Sequence, residues 1–319
     1  MSINVSSSSI NSSRRRGAAP VAPTTWTQRT SSFGSTGINN VAYGGAVWVA
    51  VGDSGKLATA TDPTGTWTQR TSSFGSDHVL GVAFGGAVWV AVGGAGKCAT
   101  ASDPTGTWTQ RTSDQGALAL NGVGYDGSTN WALCGDRQLP VVLPTGISSS
   151  ADPTAGFTLT SSTGFGMQWG YSIKYGNGNW VVCGQKAPSV GLIGTQSDPT
   201  STFVSRANPF AQQIRDLEFG SSLWVAVADG GEIGTATDPT STWTLRTDPF
   251  VATNIRGVAH FNGAWTSVGD SGKLATSIDP TNTWILRTSS FGSTQINKVA
   301  YGNGFWVAVG ESGKLATGV

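Results

Sequence analysis

Charge is scarce in this sequence. Only 12% of the 319 residues are charged, 19 Lys and Arg nearly cancel 18 Asp and Glu, and the formal net charge is +1. A chain this close to neutrality lacks the field that gathers nucleic acid or an anionic membrane surface, and neither is expected as a partner. Long apolar runs are missing as well. No stretch of 18 apolar residues exists, so no insertion of a helix into a bilayer is expected. The first residues contain no apolar segment of secretory type, and export by that route is not expected. Glutamate occurs three times (Glu218, Glu232, Glu311) and histidine twice (His78, His260). Metal sites assemble several such ligands at characteristic spacings. None is present, so neither metal nor cofactor is expected.

What is abundant is glycine, with 45 residues, and tryptophan, with 13. Twelve of the 13 tryptophans fall on two recurring positions. The first is the Trp of a WVAVG run, at Trp48, Trp89, Trp131, Trp180, Trp224, Trp265 and Trp306, with spacings of 41, 42, 49, 44, 41 and 41 residues. The second lies in a TWTQR run, at Trp26, Trp67, Trp108, Phe157, Phe203, Trp243 and Trp284. A fixed period near 40 residues, in units rich in short strands, predicts propeller blades. Each unit reads as four strands: A (INNVAY), B (WVAVG), C (KLATAT) and D (TWTQRT). Strand B is apolar at successive positions, as a strand hidden on both faces must be. The expected fold is all-β, a seven-bladed β-propeller of four-stranded blades over residues 24–319. The ordered pattern opens on a strand D and ends on a strand C, so the N-terminal strand is expected to complete the last blade and close the ring.

The other recurrent features suit structural roles. Asp-Pro-Thr begins the C–D turn at Asp62, Asp103, Asp152, Asp198, Asp238 and Asp279, where Pro pre-sets φ and the Asp side chain accepts backbone N–H groups. Arg29, Arg70, Arg111, Arg206, Arg246 and Arg287 close strand D, and their repetition points to structural pairing with a neighbouring blade. The three cysteines are expected to be inert core thiols. Cys134 and Cys183 stand at the position of Val51, and Cys98 at that of Leu57. Residues 1–23 form a different, Ser-rich segment carrying Arg14, Arg15 and Arg16. It cannot bury enough apolar surface to fold alone and is expected to be an extended arm that docks into an acidic groove of a larger assembly.

The hairpin TDPTGTWTQR resembles the Asp-box hairpin of sialidase-type propellers, with Trp67 five residues after Asp62 and the glycine displaced by one position. The Gly-His and Trp-Asp marks of WD repeats and the paired glycines of kelch repeats are absent. Near-identical units such as NNVAYGGAVWVAVGDSGKLATATDPTGTWTQRTSSFGS also resemble propeller proteins carried by tailed bacteriophages. That resemblance covers residues 24–319. It implies a virion protein of capsid or tail, with other virion proteins as partners, serving decoration, attachment or binding to the host surface. A glycan-binding propeller is the alternative. A sialidase-like glycosidase is the third reading, and catalytic residues are not expected. Such an enzyme needs an arginine cluster, an acid and a Tyr–Glu pair, whereas here Arg215, Arg256 and Glu218 alone suggest an anion site near a channel mouth.

The repeats differ most in the D–A and B–C connections, which share one face of a four-stranded blade. At the position of Gly37 stand His78, Ala119, Trp169, Gln213, Asn254 and Gln295. The B–C connections of blades 3 and 4 are the longest and carry Leu139, Val141, Val142 and Leu143 in one, and Ala187 to Leu192 in the other. Phe165, Met167 and Trp169 lie in the D–A connection between the same blades. A rigid scaffold with one variable loop face is built for binding. This cluster either meets a partner or caps the channel mouth by burying its own side chains.

Overall fold

The computed structural model describes residues 21–136, 146–160, 166–247 and 249–319. These form seven antiparallel sheets of four strands each, and the seven strands A pack against one another around a central channel. Six sheets are built from consecutive strands. In blade 1 these are Ile38–Gly44, Val47–Gly52, Lys56–Ala60 and Thr68–Thr71. The seventh combines strands A to C from the C-terminus (Ile296–Gly302, Phe305–Gly310, Leu315–Gly318) with Trp26–Arg29 as strand D. Trp26 pairs with Gly318 and Arg29 with Leu315. Thr24 N–H continues the pairing to the Val319 carbonyl at 3.3 Å. The expected closure of the ring by the first strand is thus observed.

Strand B explains why the ring holds. Trp48, Val49, Ala50 and Val51 are all fully buried. Trp48 and Ala50 pack with Val307, Val309 and Leu315 of blade 7. Val49 and Val51 pack with Phe74, Val79 and Trp89 on the side of blade 2. Alternate side chains of one strand therefore serve two different inter-blade cores, which is why the run reads as continuously apolar. Burial of an aromatic side chain of this size is worth about 3 kcal/mol. The aromatic of strand A adds a second lock between blades. A Cβ on Gly44 would lie 2.2 Å from the Phe84 ring, and one on Gly302 2.3 Å from the ring of Tyr43. Glycine at the end of one strand A is what lets the next blade's ring lie flat against it.

The repeated polar residues are spent locally. Asp62 Oδ1 accepts Thr64 N–H at 2.8 Å and the Thr64 hydroxyl at 2.7 Å, and these bonds hold its pKa below the usual range. The same pair recurs at Asp103, Asp152, Asp198, Asp238 and Asp279. The arginines of strand D are fixed within their own blade and act across the seam: Arg29, Arg70, Arg111 and Arg206 add to the threonine hydrogen bonds in lowering the pKa of Asp62, Asp103, Asp152 and Asp238 in the C–D turn of the next blade. Each donates Nε to a threonine of strand C in its own blade, as Arg70 does to Thr59 Oγ1 at 2.9 Å and Arg29 to Thr317 Oγ1 at 2.9 Å. The B–C lysines reach back to the D–A connection: Lys56 Nζ donates to Phe33 O at 2.8 Å and Lys314 Nζ to Phe291 O at 2.7 Å. Cys98, Cys134 and Cys183 are free and fully buried, and burial pushes the Cys98 thiol up to about 12.

Candidate functional site

Every strand A carries a register shift near its start. It falls between Ile38 and Asn40 in blade 1 and at the equivalent place in each other blade. The residue inside this bulge is Asn39, Leu80, Asn121, Tyr171, Arg215, Arg256 or Asn297. A bulge re-aims its side chain, and here polar ones reach the B–C turn of their own blade. Asn39 Nδ2 donates to Asp53 Oδ1 at 2.9 Å, Asn121 to Asp136 at 2.9 Å, and Asn297 to Glu311 at 2.8 Å. Blades 5 and 6 replace asparagine with arginine. Arg215 grips Asp229 through Nε (2.9 Å) and Nη2 (2.7 Å), and Arg256 grips Asp270 at 2.8 and 3.1 Å. Each guanidinium is thus held by its own aspartate in a two-point pair.

Blade 4 gives this mouth its distinctive surface. Tyr171 lies under the Arg215 guanidinium, 4.9 Å from ring centroid to Cζ, a cation–π contact. The Tyr171 hydroxyl lies 3.0 Å from both Gln185 Oε1 and Gln213 Oε1. Trp169 opens strand A of this blade, pairs with Gln185, bridges Asp136 of blade 3 and is half-buried. The structure therefore brings Trp169, Tyr171, Gln185 and Arg215 together on the D–A and B–C face. Met167 departs from the expected partner surface. It is 3% exposed and packs with Cys134, Ile147 and Ile173, the place that Phe33 takes against blade 7 elsewhere. The long B–C connection of blade 4 is likewise a hairpin rather than an irregular loop. Its strands, Asn179–Lys186 and Val190–Gln196, pair out to Lys186 and Val190. Leu192 turns into the core, while Val190 stays 47% exposed. Leu139, Val141, Val142, Leu143 and Phe165, like Arg14, Arg15 and Arg16, lie outside the described residues.

Deeper in the channel four charged side chains meet. Lys298 of blade 7 reaches Asp216 of blade 5 at 2.6 Å, and Lys174 of blade 4 reaches Glu218 at 3.3 Å. Asp216 is fully buried and accepts the Val258 N–H at 3.0 Å through Oδ2. Burial raises the pKa of Glu218 against the opposing pull of Lys174. The sequence points to Glu218 alone. Lys174, Asp216 and Lys298 become visible only when strand A is compared blade by blade, because their equivalents are Asn, Ser, Gly or Ala. Among the described residues, no group of three or more His, Cys, Asp or Glu is placed to hold a metal ion.

Fold and channel together define a seven-bladed β-propeller. Among solved structures, the chain is similar to YCF48 bound to a D1 peptide, with a TM-score of 0.72, 15% identity, and coverage of 95% of this chain and 98% of that one. It is also similar to virginiamycin B lyase from Staphylococcus aureus, with a TM-score of 0.76, 11% identity, and coverage of 92% and 98%. A third likeness is to the WD40 repeats of RRP9, with a TM-score of 0.72, 10% identity, and coverage of 93% and 98%. At such identities the likeness is one of fold, and the three carry different functions. No protein-family model and no curated protein matches the sequence.

Proposed function

We propose that this protein is a non-enzymatic docking scaffold that binds a protein partner through the D–A and B–C face of blades 3 to 5, within the virion of a tailed bacteriophage. The observation that carries the reading is the distribution of variation over the ring. The C–D face repeats one Asp-Pro-Thr turn from blade to blade. The opposite face departs from the repeat in blades 3 to 5, where Trp169, Tyr171 and the hairpin ending at Val190 stand out. Half-buried aromatic side chains beside an exposed apolar tip, on a rigid base, are what protein interfaces are made of. The peptide held by the YCF48 propeller supports a protein ligand for this architecture. A non-enzymatic role is supported by the state of the ionisable groups, since Arg215, Arg256, Lys174 and Lys298 are each engaged by a carboxylate. The virion setting rests on the resemblance of the near-identical repeats to phage propellers, and the basic arm would supply a second attachment.

The test is incorporation of the Trp169→Ala variant into particles, measured against wild-type protein by quantitative mass spectrometry. The expected result is a loss of incorporation of at least about tenfold, the effect of removing a modest anchor, with the melting temperature little changed. Normal incorporation, or a wild-type protein absent from particles, contradicts the proposal.

A further inference from the structure

The near-identity of the blades provides an internal control for what strand A requires. At the position of Asn40 stand Gly81, Gly122, Ser172, Asp216, Gly257 and Lys298, and at that of Ala42 stand Ala83, Gly124, Lys174, Glu218, Ala259 and Ala300. Charge enters these two positions only in blades 4, 5 and 7. Blades 1, 2, 3 and 6 show that the strand forms without it, and burying an ion costs several kcal/mol before pairing returns any of it. The four charges sum to zero. Lys174, Glu218 and Lys298 line a cavity of about 60 Å³ in the channel, with Tyr171 and Ser172 on the wall. Asp216 lies behind Lys298, and its Oδ1 is buried without a hydrogen-bond partner.

We propose that this cavity is a binding site for a small zwitterion of about the size of glycine, one ammonium and one carboxylate on a short stem. It lies in the channel and is separate from the loop face assigned above to a protein partner. Three constraints select the ligand. The lysine heads offer N–H donors that a carboxylate would accept in pairs. Glu218 offers acceptor lone pairs to an ammonium. The quartet is already balanced, so a singly charged ion would leave one charge uncompensated in a desolvated site, whereas a zwitterion adds none. Size is compatible with this ligand, because a cavity of this volume holds a few water-sized groups, roughly the five heavy atoms of glycine.

Calorimetric titration of the full chain with glycine tests this, with methylammonium chloride and sodium acetate as the separate halves and acetamide as the neutral control. Glycine is expected to bind at least about tenfold more tightly than any of the other three. Glu218→Gln and Lys298→Met should each weaken glycine by about tenfold or more. Ala300→Leu fills the cavity without altering a charge, and it should abolish glycine binding while the melting temperature stays near that of the wild type. Absence of binding by glycine overturns the proposal. So does equal binding of a half or of acetamide, and so does a folded Ala300→Leu protein that binds glycine as the wild type does.

Discussion

His260 occupies the strand A position that Tyr or Phe holds in the other blades, and it packs 4.5 Å from Trp265 as those rings pack on their own tryptophans. Its Nε2 accepts the Gly263 N–H at 3.0 Å and lies 3.0 Å from the Ser221 hydroxyl. A proton on Nε2 would face that N–H, and burial lowers the pKa to about 4. The folded-state value is depressed, so neutral His260 favours the fold above pH ~6.5, and the advantage is lost as pH falls from there towards 4. The loss approaches about 3 kcal/mol at the acid end. Melting curves from pH 7 to 4.5 should therefore fall more steeply for the wild type than for His260→Phe, and parallel curves would refute this. A second exchange tests how the repeat tolerates polarity. Gln115 takes the place of Phe33, and Ser148 that of Ala58. Gln115 Nε2 donates to Ser148 Oγ at 2.8 Å, and that hydroxyl donates to the Ser113 carbonyl at 2.8 Å. Gln115→Phe alone should cost about 1–3 kcal/mol by crowding the Ser148 hydroxyl and taking away its partner. Gln115→Phe with Ser148→Ala restores the pair found in blade 1 and should recover wild-type stability, as a denaturant double-mutant cycle would show. Additive losses would mean that the two residues act separately.

Among the elements, the hairpin of blade 4 is where the sequence pattern and the structure part. The extra length between Gly184 and Ile193 is legible in the sequence, but its form is not. Ala187, Pro188 and Ser189 signal a turn, while the pairing of Gln185 with Gly191 depends on strands already set by the rest of the blade. Met167 is a similar case. An isolated methionine beside Trp169 reads as a surface cluster, yet the D–A connection turns it into the place that phenylalanine fills in blade 1. Blade strands, the Asp-Pro-Thr turns and the cysteine positions are legible because each is repeated, and repetition separates a structural requirement from chance. Replacing residues 186–190 with a two-glycine turn should leave the melting temperature within about 3 °C, since the exposed tip contributes little to the core. The same deletion should reduce incorporation into particles if the hairpin belongs to the docking face. A large thermal loss with normal incorporation would assign the hairpin to stability instead.

For the molecule as a whole, the ring brings together residues that no local pattern connects. Asp216 and Lys298 stand two blades apart and meet only because the strands A converge on one axis. Arg215 and Arg256 stand out in the sequence, but Asp229 and Asp270 become their partners only through the bulge at the start of each strand A. Closure itself is legible from the mismatched chain ends, and its energy can be tested by truncation. Deleting residues 1–30 removes four residue pairs with strand C of blade 7 and the buried Trp26. This should cost about 5 kcal/mol and lower melting by about 10 °C. Deleting residues 1–20 should leave melting unchanged, and equal melting of all three proteins would contradict closure by the first strand.

The docking face is tested most directly by hydrogen–deuterium exchange of the protein free and in purified particles. Protection is expected in the D–A and B–C connections of blades 3 to 5, around Trp169 and the 186–190 hairpin tip, with the Asp-Pro-Thr turns exchanging alike in both states. Protection of the Asp-Pro-Thr face with no change around Trp169 would contradict the account.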